Sequence, residues 1–380
     1  MCNESDQCCF CLSLEICAAS GQYWNMYDEQ LKRIETAINK ILPKDTDPAW
    51  IASVVGMEIS YVNSNWVREL TEPGRVLLER GGKRWRSLVC VLTCEALGGG
   101  EAADELTPLI EIPHNGSLII DDIEDDSPTR RGESAIHKIF GEDLAINMGN
   151  LMYFLPSIAL ERSSLHPALR AAIASDWLRV MRRLHLGQGY DIIWHNKPDC
   201  FPDEQAYLRM CRLKTGSLSG LAARIGASVA GSILEDHVER ESVEELSCTW
   251  ETLGCAFQIM DDVLNLTGAV AGKRRGDDII EGKKSLPVIY HVAENPEDSL
   301  RLQKLFEQAK KTAARNDRRA IDEAAELLIG SGATRKAWIK GQRLLVQGRE
   351  ELKKLLPDNQ ARFALIHLID SGMLRNSSSG

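Results

Sequence analysis

Residues 118–125 read LIIDDIED and residues 257–265 read FQIMDDVLN, so an apolar run ends twice in nearly the same pattern of polar groups. The first set is Asp121, Asp122 and Asp125; the second is Asp261, Asp262 and Asn265. On a helix of about 3.6 residues per turn, the outer members of each set lie one turn apart on one face. Carboxylates that close repel unless water or a cation separates them. One such turn reads as an ordinary solvated helix end. Two of them, each preceded by residues suited to a core, point to long helices that deliver both sets to one shared cavity. Mg²⁺ prefers carboxylate oxygens and is typically held by one or two of them, with substrate phosphates and water completing its shell.

The net charge of −10 argues against general affinity for nucleic acid or anionic membrane, so an anionic ligand must be met by local basic islands or through metal. GGKRWR at 81–86 puts Lys83, Arg84 and Arg86 behind a glycine pair whose backbone N–H groups are free to approach an anion. Arg130 and Arg131 follow the first acidic set, and Lys214 and Thr215 precede Gly216 at a point where a glycine would distort a helix. Lys273, Arg274, Arg275, Lys283 and Lys284 fall in a polar loop suited to close over phosphates. Each island alone also reads as a basic helix end, a kink or a solvated loop.

A hydrophobic content of 44% is ample for a core, and no apolar run reaches the roughly 18 residues of a membrane span. Five of the 11 cysteines fall in the first seventeen residues, without histidines or a zinc-ligand spacing. Residues 1–25 therefore read as a disordered cysteine-rich extension, and 376–380 as a disordered tail. The remaining cysteines lie in helical patterns without matching partners, which suits a reducing, cytoplasmic setting. Between these ends the chain is a succession of amphipathic stretches, among them 26–41, 48–70, 144–160, 168–190, 205–234 and 249–266. No strand alternation, GxGxxG or P-loop is present. The expected fold is all-α, a single large helical bundle over 26–375 around a central apolar cavity.

No nucleophile is paired with a base, so the parts suit departure of a diphosphate assisted by metal and fixed positive charge. GGKRWR, HNGSLIIDDIEDDSPTRRG, LHLGQGYD, LKTGSL, FQIMDDVLN and GDDIIEGKKSLP occur in the order found in trans-isoprenyl diphosphate synthases. The chain resembles that family over roughly 70–293, and its wording is most similar to geranylgeranyl diphosphate synthases.

The resemblance implies a condensation of isopentenyl diphosphate with an allylic diphosphate, dependent on three Mg²⁺ ions, in a homodimer. It implies Asp121, Asp125 and Asp261 as metal ligands, with Asp122, Asp262 and Asp278 behind them. Arg130, Lys214, Gln258, Lys273 and Lys283 would hold the allylic diphosphate, and Lys83, Arg86, His114 and Arg131 the isopentenyl diphosphate. Thr215 and Gln188 would face the developing carbocation. Asn265 departs from the family's third aspartate, and its amide oxygen is expected to coordinate or orient water without adding charge.

Ser117 and Gly116 precede Asp121 by four and five residues, about 6–7.5 Å deeper along a helix. Both are small, so the resemblance places the floor of the hydrocarbon pocket further down, at Tyr153, Phe154 and His185, a depth suited to a C20 product. A longer-chain synthase and a non-catalytic prenyltransferase subunit are the alternatives.

Overall fold

The computed structural model describes residues 24–57, 63–233, 240–268, 276–312 and 317–374. The cysteine-rich stretch through residue 23, Lys273 and the tail from residue 375 lie outside the described residues.

Helices account for nearly all of it. In chain order they are α1 (Asp28–Ile41), α2 (Pro48–Val55), α3 (Ser64–Glu79), α4 (Trp85–Ala96), α5 (Pro108–Glu124), α6 (Ile136–Phe140), α7 (Glu142–Phe154), α8 (Ser157–Arg162) and α9 (Pro167–His195). There follow α10 (Glu204–Cys211), α11 (Ser217–Ile233), α12 (Arg240–Thr267), α13 (Asp277–Glu281), α14 (Leu286–Glu294), α15 (Ser299–Thr312), α16 (Arg319–Gly330), α17 (Ala333–Leu355) and α18 (Gln360–Leu374). The stretch expected as one helix over 144–160 is two, because Pro156 stands between α7 and α8. The stretch over 48–70 also divides, since α2 stops at Gly56 in the left-handed conformation.

α11, SLSGLAARIGASVAGSI, is buried along nearly its whole length. A helix that is apolar on every side belongs in an interior. Its small side chains let it lie against both α4 and α12, whose Leu88, Leu92, Leu246, Trp250 and Leu253 complete the core there. α5 enters from the same core, with every residue from Pro108 to Pro113 buried, and emerges at its acidic end. α12 likewise passes from buried Trp250 to Asp261. Core packing thus brings both acidic ends to one side of the bundle.

Two local features depart from regular helix. Between α10 and α11 the chain makes a π turn, Arg212–Gly216, which carries Lys214 and Thr215. Gly187 of α9 permits it, because a Cβ there would stand 2.4 Å from the Lys214 backbone nitrogen. After α5 a small hairpin pairs β1 (Thr129–Arg130) with β2 (Glu133–Ser134). Arg131 and Gly132 form its turn with φ of 56° and 79°. Positive φ at both central residues gives a type I′ turn, whose twist matches the flanking strands. The Arg80 guanidinium donates to the Ser134 carbonyl at 2.8 Å and ties the hairpin to the end of α3. No helix among the described residues is long and apolar enough to cross a membrane.

Candidate active site

A cavity of about 940 Å³ opens where α4, α5, α9, the π turn, α12 and the hairpin converge. Asp121 and Asp261 line it, together with Lys83, Arg86, His114, Arg130, Arg131, Gln188, Lys214, Thr215, Gln258, Asp278 and Lys283. Residues spread over most of the sequence therefore share one space.

At the acidic end Asp121 is the hub. It accepts from Gln188 Nε2 at 2.9 Å and lies 3.5 Å from both Lys214 Nζ and Arg130 Nη2. Burial opposes its charge, but Lys214, Lys283 and Arg130 outweigh burial and hold the carboxyl well below the usual carboxylate range. Asp122 is fully buried and accepts from Arg130 Nε at 2.8 Å, so it orients that guanidinium from beneath. Asp125 pairs with Lys283 Nζ at 3.1 Å. Burial raises the Asp125 pKa, only partly offset by Lys283, with Asp121 and Glu281 adding repulsion. Such a carboxylate gains from an additional cation.

Across the cavity, Thr215 Oγ1 donates to Gln258 Oε1 at 3.0 Å, and Gln258 Nε2 donates to Asp262 Oδ1 at 2.9 Å. Asp262 also accepts from the Tyr207 hydroxyl at 2.6 Å; burial raises its pKa to about 6. Asp261 and Asp262 both line the space, Asp261 exposed to it and Asp262 6% exposed and held by Tyr207 and Gln258. Asn265 is 2% exposed and absent from the cavity wall, and its side-chain oxygen accepts from the Asp278 N–H at 3.3 Å. Its amide oxygen, expected to coordinate or orient water, here fastens α12 to α13.

Among the described residues no three His, Cys, Asp or Glu side chains lie close enough to hold a metal ion by themselves. Mg²⁺ is typically held by only one or two carboxylates, with substrate phosphates supplying much of its coordination shell. Asp121, Asp125 and Asp261 offer the oxygen donors this ion takes.

The second basic end is built around α4 and the hairpin turn. Arg86 Nη1 lies 3.4 Å from His114 Nε2, and both side chains reach the cavity. Burial, then the charge of Arg86, lowers the His114 pKa to about 3, so His114 is a neutral hydrogen-bonding group. Arg131 donates to the carbonyls of Leu77, at 2.8 Å, and Gly81, and to Asn115 Oδ1 at 3.1 Å. Burial lowers the pKa of Arg86 and of Arg131 to about 10.

Sequence reasoning missed the residues behind these cations. Glu111 is 2% exposed and accepts from Arg84 Nη1 at 2.9 Å, Asn115 Nδ2 at 3.1 Å and Ser87 Oγ at 3.2 Å. Arg84, 3% exposed, also bonds Glu35 at 2.7 Å. Asp191 holds Lys214 Nζ at 2.6 Å. Charge spacing offered a signal for both acids: Glu111 stands three residues before His114, and Asp191 closes LHLGQGYD.

The apolar arm passes Ser117, Leu118, Tyr153, Leu184 and His185. Tyr153 and His185 pack with ring centroids 4.7 Å apart. Two residues expected at this wall lie elsewhere. Gly116 faces α7, where a Cβ would come within 2.8 Å of Met152 Cβ, so its smallness serves helix packing. Phe154 is 67% exposed on the outside of α7. Consecutive helical residues point about 100° apart, so only Tyr153 of the pair turns inward.

The polyprenyl synthetase family model matches residues 67–324, which contain all of these cavity groups except Leu368 of α18. The chain belongs to the polyprenyl synthetase family. The geranylgeranyl pyrophosphate synthase of Claviceps paspali is 42% identical over 202 residues, 53% of this chain and 55% of that one. The chain thus spans about half the length of this relative. The geranylfarnesyl diphosphate synthase of Aeropyrum pernix is 34% identical over 291 residues, covering 73% of this chain and 85% of that one. Among solved structures, the geranylgeranyl pyrophosphate synthetase from Pyrococcus horikoshii Ot3 superposes with a TM-score of 0.77 at 28% identity, covering 92% of this chain and 97% of that one.

Proposed function

We propose that this polyprenyl synthetase joins isopentenyl diphosphate head-to-tail to an allylic diphosphate of C5 to C15 and releases chiefly the C20 product, geranylgeranyl diphosphate. The observation that carries the reading is the two-ended polarity of a single cavity. Asp121 and Asp261 stand with Arg130, Lys214, Gln258 and Lys283 on one part of its wall, with Asp125 behind them on Lys283, and Lys83, Arg86, His114 and Arg131 stand on another.

Mg²⁺ bound at Asp121, Asp125 and Asp261 would neutralise the departing diphosphate and polarise its ester oxygen. Arg130, fixed by Asp122, and Lys214, fixed by Asp191, add charge that needs no reorganisation as the C1–O bond breaks. The C4 carbon of isopentenyl diphosphate then supplies its double-bond electrons to C1 of the allylic cation. The charge passes to C3, and loss of a proton from C2 to the departed diphosphate restores a double bond. Thr215 and Gln188 present neutral dipoles beside this path, and the neutral His114 adds no repelling charge.

The Tyr153 and His185 rings close the apolar arm, which supports the C20 limit over longer products. Pairing of two copies is supported by exposed apolar side chains, Ile146 and Phe154 along α7 and Leu178, Leu186, Tyr190 and Ile193 along α9. Incubating the protein with Mg²⁺, isopentenyl diphosphate and C5, C10 or C15 allylic diphosphates, then sizing the products, tests the whole reading. Absence of condensation with every primer overturns it. Products beyond C20 overturn the floor alone.

A further inference from the structure

The basic groups assigned above hold the diphosphate of the homoallylic substrate and leave its five-carbon half without a partner. Trp85 and Phe257 both line the cavity beside Arg86, and neither has a role so far. Their rings meet edge to face, with centroids 4.9 Å apart and planes at 68°. Aromatic pairs prefer this geometry because the positive edge of one ring meets the negative face of the other.

Three constraints make the indole a fixed wall. Arg86 lies over it, with Cζ 4.3 Å from the ring centroid. Phe257 abuts it from α12, one residue before Gln258 and four before Asp261. Its backbone follows Arg84, which takes the left-handed conformation with φ of 48° and is clamped by Glu35, Glu111 and the Leu78 carbonyl. Stacking of the guanidinium on the indole couples the placement of the two side chains. The side chain that meets the diphosphate therefore also positions the ring that its hydrocarbon must pass on the way to Asp261 and Thr215.

We propose that Trp85, braced by Phe257, is the specificity-determining residue for the homoallylic substrate and sets the space available to the substituent on its C3 carbon. A methyl group fits against the aromatic pair, whereas an ethyl group meets a ring that is unable to retreat. This assignment rests on the condensation proposed above. One methylene in an apolar pocket is worth about 10- to 200-fold in kcat/KM, which sets the discrimination to be measured.

The test compares isopentenyl diphosphate with its homologue 3-ethylbut-3-enyl diphosphate, at saturating C15 allylic diphosphate and Mg²⁺. Wild-type protein should prefer the natural substrate by about 10- to 200-fold in kcat/KM. Trp85→Leu should reduce that preference at least tenfold, Trp85→Phe should restore most of it, and KM for the allylic diphosphate should stay within twofold. A merely structural role would move both substrates alike and leave the ratio unchanged. Should Trp85→Leu fail to fold, Phe257→Leu removes the brace and must shift the ratio in the same direction. Normal turnover of isopentenyl diphosphate with an unaltered ratio overturns the Trp85 assignment while leaving the condensation standing. Absence of turnover by wild-type protein overturns the condensation and the assignment together.

Discussion

Replacing Glu111 with alanine exposes how the homoallylic end is held together. The side chains of Glu111 and Arg84 are 3% and 2% exposed, and their ion pair is 2.9 Å long. Removing the carboxylate leaves Arg84 with Glu35 and strips Ser87 and Asn115 of an acceptor. Breaking a buried pair by deleting one partner costs about 3–5 kcal/mol, because the other charge stays buried. The surviving Glu35 contact argues for the lower half of that range. Glu111→Gln keeps the shape and loses the charge, and should cost about 1.5–3 kcal/mol, the worth of a charge-assisted bond.

Urea unfolding at pH 7 measures both variants. Linkage adds a second signature. Burial raises the Glu111 pKa but the charge and hydrogen bond of Arg84, aided by Arg86, outweigh it, leaving the folded value below the ordinary 4.5. A group of this kind contributes stability that is present above its unfolded pKa and is lost as pH falls through the folded one. The gap between wild type and Glu111→Gln should therefore narrow below about pH 4.5. Asn115 also loses its 3.1 Å bond to the Glu111 carboxylate and keeps only the 2.8 Å bond to the Glu111 carbonyl, which loosens the oxygen it turns toward Arg131, so KM for isopentenyl diphosphate should rise while KM for the allylic diphosphate holds. A Glu111→Ala cost under about 1 kcal/mol, the size expected of an exposed pair, would refute the buried-clamp argument.

Asp191→Asn frees Lys214 from its 2.6 Å partner and should lower kcat by about 10- to 100-fold with little change in melting temperature; unchanged turnover in a steady-state assay would contradict this. Gly187→Ala puts a Cβ 2.4 Å from the Lys214 nitrogen, so calorimetry should register about 1–3 kcal/mol of destabilisation, and a wild-type melting point would show that the π turn yields freely. The half-buried, neutral His114, with its pKa lowered to about 3, contributes stability above the unfolded value of 6.5 that is lost on acidification. Wild type should accordingly lose about 1 kcal/mol relative to His114→Gln between pH 6 and pH 5, and parallel stability curves would exclude the lowered pKa. Tyr153→Ala should lengthen the products, whereas Phe154→Ala should leave their length alone; chromatography of the dephosphorylated chains distinguishes the two.

Charge and period made much of this molecule legible in its sequence. The apolar runs before Asp121 and Asp261 signalled helices with buried stems, and both helices are present. The basic islands were visible because an acidic chain makes local positive charge conspicuous. What escaped was whatever depends on rotation about a helix axis or on partners distant in sequence. Tyr153 and Phe154 are neighbours in the chain but face different surroundings. The smallness of Gly116 suggested open space, while the actual neighbour is the backbone of α7. Glu111 sits inside an apolar-looking helix start, and although its spacing to His114 marks it, its bond to Arg84, 27 residues away in the chain, is not legible there. The hairpin after α5 was invisible for another reason, since its two-residue strands are too short to show alternation.

The π turn at Arg212–Gly216 bears on how this chain is compared with its relatives. A wide turn is the footprint of one residue inserted into an α-helix, and the widening absorbs that residue locally so that the helices on either side keep their facing. A relative lacking the insertion would keep the hydrophobic pattern of both flanking helices yet aim a different side chain into the cavity. Evolutionary correspondence therefore has to be established separately on each side of Lys214, and an alignment scored only on overall similarity will mistake an indel here for a substitution of function.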